Sequence, residues 1–173
     1  MKKHIAILML CAAWALPASA QDAPKAEAFL GYSFFRLSGG NGLNVPGGWH
    51  ASLAGNFNRY FGLVGDFSGH YKSIGGANFN VHTFTFGPRF TYRSEKPVEA
   101  FGHFTVGGVR VGAGAAGFGV SDTSFAFTIG GGVDIKASPR VAIRPVQLDY
   151  VARVAGGNTQ NNLRYSAGVV FRF

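Results

Sequence analysis

The sequence predicts an all-β protein: an eight-stranded antiparallel up-and-down transmembrane β-barrel, preceded by a cleavable signal peptide. Three observations predict it. From residue 27 onward apolar residues recur with a period of two, which is the period of a strand. The connections alternate between long, Gly/Asn-rich, almost uncharged segments and short ones that mostly carry charge. A closed meander gives this pattern when one rim faces outside and the other faces the periplasm. Finally, 26 Gly and 17 Phe among 173 residues, with only 14% charged residues, leave few helix signals and make disorder untenable.

The N-terminal stretch "MKKHIAILMLCAAWALPASA" has a basic start, an apolar run from Ile5 to Leu16 and the small-x-small sequence Ala18-Ser19-Ala20. It reads as a secretory signal over residues 1–20, cleaved before Gln21. The apolar run is short for a bilayer span. Residues 21–26 then form a short periplasmic segment, and residues 27–173 form the barrel. The single cysteine, Cys11, leaves with the leader, so the mature chain has no disulfide to draw on. The net charge of +8 includes Lys2 and Lys3 of the leader. The remaining basic residues are scattered singly and build no stripe, so no nucleic-acid partner is expected.

Eight strands are expected at about 27–37, 48–57, 62–72, 80–93, 98–110, 124–136, 140–153 and 162–173. In the first, Leu30, Tyr32 and Phe34 are placed outward with Arg36 at the outer rim, against a competing Phe29/Phe35 face. In the second, Trp49, Ala51, Leu53 and Phe57 oppose His50, Ser52 and Asn56. The third sets Leu63, Phe67 and Tyr71 against Asp66, Ser68, His70 and Lys72. The fourth sets Phe84, Phe86, Phe90 and Tyr92 against Thr83, Thr85, Arg89, Thr91 and Arg93. Folding the chain at "SEKP" places Arg93 beside Glu99 and Arg89 beside His103. The sixth strand opposes Phe125, Phe127, Ile129, Val133 and Ile135 to Thr128, Asp134 and Lys136.

In "RVAIRPVQLDYV" the parity changes, because Val141 and Ile143 share a face that Val146, Leu148 and Tyr150 do not. One extra residue at Arg144-Pro145, a β-bulge, restores a continuous apolar face and points Arg144, Gln147 and Asp149 inward. In the last strand Leu163, Tyr165, Ala167, Val169, Phe171 and Phe173 share one face, opposite Asn162, Arg164, Ser166 and Arg172. A water-soluble sandwich would also bury an apolar face. Its other face would then be a solvated surface of Lys and Glu, whereas here it mixes Gly, Thr and charges of both signs that pair between neighbouring strands. Lipid explains both faces: an outward charge at mid-depth costs about 2–4 kcal/mol, and closure leaves no unpaired backbone edge in hydrocarbon.

The segments "GYSFF", "DFSGHY", "FTFGPRFTYR", "IRPVQLDY" and "NNLRYSAGVVFRF" resemble the small outer-membrane β-barrel domain proteins of Gram-negative bacteria, the group that includes the OmpA-type transmembrane domain and the OmpX-like barrels. The resemblance spans about residues 27–173. It implies a location in the outer membrane, contact with outer-membrane lipids, and recognition of Tyr165, Val169, Phe171 and Phe173 by the outer-membrane assembly machinery. It departs from full-length OmpA-type proteins in ending at Phe173 with no peptidoglycan-binding domain.

Few residues point to chemistry. The lumen set is Asp66, Arg89, Arg93, Glu99, His103, Asp134, Lys136, Arg144, Asp149, Arg164 and Arg172. Eight strands enclose a space that side chains fill, so these residues are expected to plug the barrel and fix its shape. "GAGAAG" (Gly112, Gly114, Gly117) matches a dinucleotide-binding glycine pattern, but that pattern needs a helix to open there, and a strand follows. Asp66, Ser68 and His70 share a face, yet Asp66 and His70 lie about 13 Å apart along one strand and form no triad. Folding about residues 58–61 brings His50 near His70 on the lumen side, close to the outer rim, with Ser52 and Lys72 nearby. This pair is the one candidate for a lipid-modifying or metal site, and polar packing is the plainer reading. No catalytic residue, metal or cofactor is expected. A monomer with a structural or surface-interaction role, in envelope integrity or adhesion through four extracellular loops, is the leading expectation. A narrow pore or small-molecule transport is the alternative, and a lipid-modifying enzyme ranks below both.

Overall fold

The computed structural model describes residues 23–38, 44–74, 76–115 and 118–173. The leader expected over residues 1–20 lies outside them. The strands are β1 (Ala26–Ser38), β2 (Asn44–Val45), β3 (Gly47–Asn56), β4 (Phe61–Ile74), β5 (Ala77–Tyr92), β6 (Val98–Ala115), β7 (Phe118–Lys136), β8 (Val141–Ala155) and β9 (Asn158–Arg172). β2 and β3 are two parts of one wall strand. Tyr32 pairs with Trp49 and Phe35 with Val45, so this strand holds one residue more than β1 between those pairs. The extra residue falls at Pro46, which has no N–H to give to a ladder. The wall therefore has eight strands. Each is antiparallel to its chain neighbours, and β1 closes on β9 from Glu27↔Arg172 to Ser38↔Asn161.

The two faces divide as their chemistry requires. Leu53 (65% exposed), Phe90 (60%) and Phe171 (45%) point away from the barrel, while Arg164 and His50 are wholly enclosed. In β1, Leu30 and Tyr32 face outward and Phe29 and Phe35 are enclosed, which settles the facing of that strand. The bulge expected in β8 is present: Arg144 pairs with Gly168 and Gln147 with Ser166, three steps on β8 against two on β9. Arg144, Gln147 and Asp149 are all buried in the lumen as a result.

The connections at the end far from the termini differ from expectation. Segments 73–79, 111–123 and 155–161 are predicted as loops, but the ladders run on through them to Ile74↔Ala77, Ala115↔Phe118 and Ala155↔Asn158. Backbone pairing needs only N–H and C=O groups, and glycine keeps both, so a glycine-rich stretch extends a ladder once its neighbours hold it in register. Gly156 (φ 56°) and Gly157 (φ 79°) make the two-residue turn of the last hairpin, where positive φ at both positions matches the twist of the strands. β6 and β7 reach 18 and 19 residues, well beyond the roughly 9–11 needed to cross a bilayer. On β6 the outward apolar band runs from Val98 to Val106 and gives way to Arg110, so the surplus lies at the far end. In a barrel of this kind that end faces outside and the short turns at 57–60, 93–97 and 137–140 face the periplasm.

Candidate functional site: a sealed lumen

Three layers fill the lumen. The layer nearest the termini is a ring of ion pairs around two carboxylates. Glu27 of β1 accepts from Arg93 (Nη2, 3.1 Å) and pairs with Arg89 (Nη1, 3.2 Å) and Arg172 (Nε, 3.5 Å). Glu99 of β6 takes Arg172 (Nη2, 2.6 Å), Lys136 (Nζ, 2.9 Å) and, more distantly, Arg93 (Nε, 3.9 Å). Buried charges are tolerated only when paired and hydrogen-bonded, and here each carboxylate faces three cations. Alternation delivers this arrangement, because every second residue of β1, β5, β6, β7 and β9 must point inward.

The middle layer is a continuous hydrogen-bonded network. Arg144 donates to Asp134 from Nε (2.7 Å) and Nη2 (2.9 Å), and from Nη1 to Gln147 Oε1 (2.8 Å). Its guanidinium lies over the rings of Phe101 (4.1 Å) and Phe29 (4.5 Å), and Arg89 lies over Phe101 as well (4.3 Å). Gln147 Nε2 donates to Asp149 (2.9 Å). Arg164 Nη2 bridges Asp149 (2.8 Å) and Asp66 (2.7 Å), while its Nη1 reaches Ser68 (3.0 Å). His103 meets Asp149 Oδ1 at 3.1 Å.

From Asp66 the network continues to His50, whose Nε2 donates to Oδ2 at 2.6 Å. His50 Nδ1 meets Ser166 Oγ (2.9 Å), Ser166 meets Ser33 (3.1 Å), and Ser33 meets His70 Nε2 (2.9 Å). Asp66, His50 and Ser166 therefore stand in the order of an acid-base-nucleophile triad, assembled from β4, β3 and β9. All three are 0–1% exposed, so no substrate carbonyl has a path to Ser166.

The third layer is apolar. Phe35, Val45, Val81, Val109, Ala126 and Val151 pack together across the outer half of the lumen. The Phe35 ring rests against His70, with centroids 4.9 Å apart. This layer corrects the placement of His50 and His70. The sequence puts them at an outer rim, but they lie beneath a hydrophobic cap, with two serine hydroxyls between them. Lys72 turns away to the carbonyl of Asn44 (2.6 Å). The strands run further than expected, so residues taken for rim lie at mid-depth. Gly112 and Gly114 of the glycine pattern sit in the β6–β7 ladder, and Gly117 lies outside the described residues.

The structure thus brings Asp66, Asp149, Arg164 and His103 into one cluster, Arg89, Asp134 and Arg144 into a second, and Arg93, Glu99, Lys136 and Arg172 into a third. Tyr165, Val169, Phe171 and Phe173 do not join them and line the outer face of β9. Sequence reasoning missed Glu27, the hub of the ring, although placing Leu30 and Tyr32 outward already turns Glu27 inward. It also missed the apolar layer, whose signal is positional: Val81 lies two residues from Thr83 and Val151 two from Asp149, each on the lumen side. Among the described residues no group of three or more His, Cys, Asp or Glu is placed to hold a metal.

These features place the molecule among outer-membrane barrels. The family model of the outer membrane protein beta-barrel domain matches residues 5–173, and the chain belongs to that family. Among solved structures, it is similar to Neisserial surface protein A, at 13% identity over 86% of this chain and 97% of that one, with a TM-score of 0.75. It is also similar to Ail, the attachment invasion locus protein of Yersinia pestis, in complex with the heparin analogue sucrose octasulfate (20% identity, 87% and 99% covered, TM-score 0.65). The N-terminal β-barrel domain of Pseudomonas aeruginosa OprF matches at 8% identity, with 87% and 98% covered and a TM-score of 0.62. At these identities the likeness is one of fold. No curated protein sequence matches the chain. The protein is an integral outer-membrane β-barrel.

Proposed function

We propose that the mature protein, freed of residues 1–20, is a monomeric structural and surface-interaction barrel. Its lumen only stabilises it, and its four outer hairpins meet the surroundings in envelope integrity or adhesion. The observation that carries this reading is the three-layer seal. An ion ring, a continuous hydrogen-bond network and an apolar cap succeed one another along the axis, and a dry apolar constriction blocks ions even where polar groups line the rest of a path. Closure of β1 on β9 leaves no strand edge for a second copy. The exposed aromatic face of β9, with Tyr165, Val169, Phe171 and Phe173, is available to the assembly machinery before the barrel closes.

Planar-bilayer recording tests the reading. The folded protein is expected to give no conductance steps above background, and regular steps would overturn it in favour of a pore. The enzymatic alternative fares poorly because the Asp66–His50–Ser166 array is enclosed. Replacing His50 and His70 with Ala is expected to leave the lipid profile of the host membrane unchanged.

A further inference from the structure

The outward face carries a polar row that neither the seal nor the surface role uses. Trp49, Tyr71, His82, Arg110 and Ser121 come from five consecutive wall strands. Trp49 Nε1 donates to Tyr71 Oη (3.4 Å), Tyr71 Oη meets His82 Nε2 (3.0 Å), His82 and Arg110 are cross-strand partners, and Arg110 Nη2 donates to Ser121 Oγ (3.0 Å). The row is held in place from below. A Cβ on Gly69 would meet the Trp49 indole at 2.6 Å, so the ring lies flat on the glycine. Phe84 stands two residues nearer the membrane centre on β5 and Phe67 four residues nearer on β4, while Asn80 and Gly112 lie two residues further out on β5 and β6. The row therefore marks the boundary between hydrocarbon and headgroups on the extracellular side, where aromatic residues with polar tips settle.

Charge sharpens the assignment. On the outward face of the described strands the charged side chains are Arg110 on β6 and Arg36 on β1, both at the extracellular end and neither with a counter-ion among the described residues. Among the described residues no strand carboxylate shares that face: Asp122 is turned to the other side, where Arg153 holds it (2.6 Å). Arg36 stands alone, with Leu163 and Asn44 as its cross-strand neighbours. Arg110 instead offers its remaining guanidinium donors next to Tyr71, His82 and Ser121. A fork of N–H donors flanked by hydroxyl and imidazole groups, at headgroup depth, fits a phosphate monoester.

The geometry points to a phosphate-binding site on the barrel wall for a phosphorylated glycolipid of the outer leaflet, with Arg110 as its cation and Tyr71, His82 and Ser121 as its flank. Trp49 lies alongside, where the sugar and the acyl chains of that lipid meet. The assignment rests on outer-membrane placement alone and is independent of the surface-interaction role.

The chain has two tryptophans, Trp14 and Trp49, and Trp14 falls in the leader. The mature protein therefore reports on the row through its own fluorescence. Detergent-folded mature protein would be titrated with lipid A carrying both phosphates and, separately, with lipid A stripped of phosphate. The phosphorylated form is expected to change Trp49 emission saturably, with a midpoint at least about tenfold lower than that of the stripped form. Arg110→Gln is expected to raise that midpoint about tenfold and Tyr71→Phe by a smaller factor, while Arg36→Gln leaves it within about twofold of the parent, the loss expected of a screened surface charge. All variants are first shown to be folded by the difference in gel mobility between boiled and unboiled samples. Equal midpoints for the two lipids would overturn the site. So would an unchanged midpoint in both Arg110→Gln and Tyr71→Phe, or an Arg36→Gln shift as large as that of Arg110→Gln, which would reduce the effect to overall charge.

Discussion

The two halves of the lumen are closed by opposite means. Toward the periplasm Glu27, Glu99 and Asp134 sit among four arginines and a lysine, and the closing contacts are directional. Toward the outside Phe35, Val45, Val81, Val109 and Val151 close the same cross-section with contacts that have no direction. The charged half disfavours alternatives, because moving any one of its ions takes a buried charge away from its partners. The apolar half excludes water and leaves the array from Asp66 to His70 unhydrated from above. A barrel built wholly on the first plan would leak at any defect, and one built wholly on the second would have little to fix its register.

Substitutions can set the halves against each other. The largest effect is expected from Arg164→Leu, which takes from Asp66 and Asp149 the guanidinium they share and leaves these buried carboxylates only His50, Gln147 and His103 as neighbours. Urea unfolding in lipid vesicles should show a loss of about 4 kcal/mol, and adding Asp66→Asn and Asp149→Asn should restore much of it. Recovery would show that the cost lay in orphaned charge rather than lost packing. Phe35→Ala in the apolar cap is expected to cost about 3 kcal/mol by the same assay, as large aromatic deletions do. No second substitution should rescue it except one that refills the volume. On the lipid side, Leu30→Asp should cost about 2 kcal/mol, where the same change at an enclosed position would be graver. The smallest effect, about 1 kcal/mol, is expected of Thr105→Val, which breaks the buried Thr105–Thr85 hydroxyl pair (2.9 Å) without leaving a charge behind. A charged half that proved the more forgiving of the two would overturn the difference between directional and non-directional closure.

The same contrast explains what was legible in the sequence. Alternation fixes the side of each residue, so Asp66, Arg89, Asp134, Arg144, Asp149 and Arg164 could be assigned to the interior from parity, and the bulge at Arg144-Pro145 from a break in parity. Depth along the axis is harder to read. It depends on how far each ladder runs, and the glycine-rich ends of β6 and β7 look like loop while pairing as strand. With those ends misjudged, His50 and His70 appeared at a rim that lies further out. The apolar cap escaped because a valine on the polar face reads as noise until its neighbours on five other strands stand at the same level. The triad order Asp66–His50–Ser166 was out of reach for a similar reason: Ser166 follows His50 by 116 positions, and only closure of the barrel brings them together.

Closure also bears on biogenesis. Glu27 lies at the start of the first wall strand, and one of its three cations, Arg172, lies at the end of the last. During synthesis and export the acid emerges more than a hundred residues ahead of that cation, and every intermediate carries a carboxylate short of a partner. Such a chain gains little by entering hydrocarbon piecemeal and much by entering as a whole. Insertion is therefore expected to be cooperative, with the joining of the two terminal strands as its committing step.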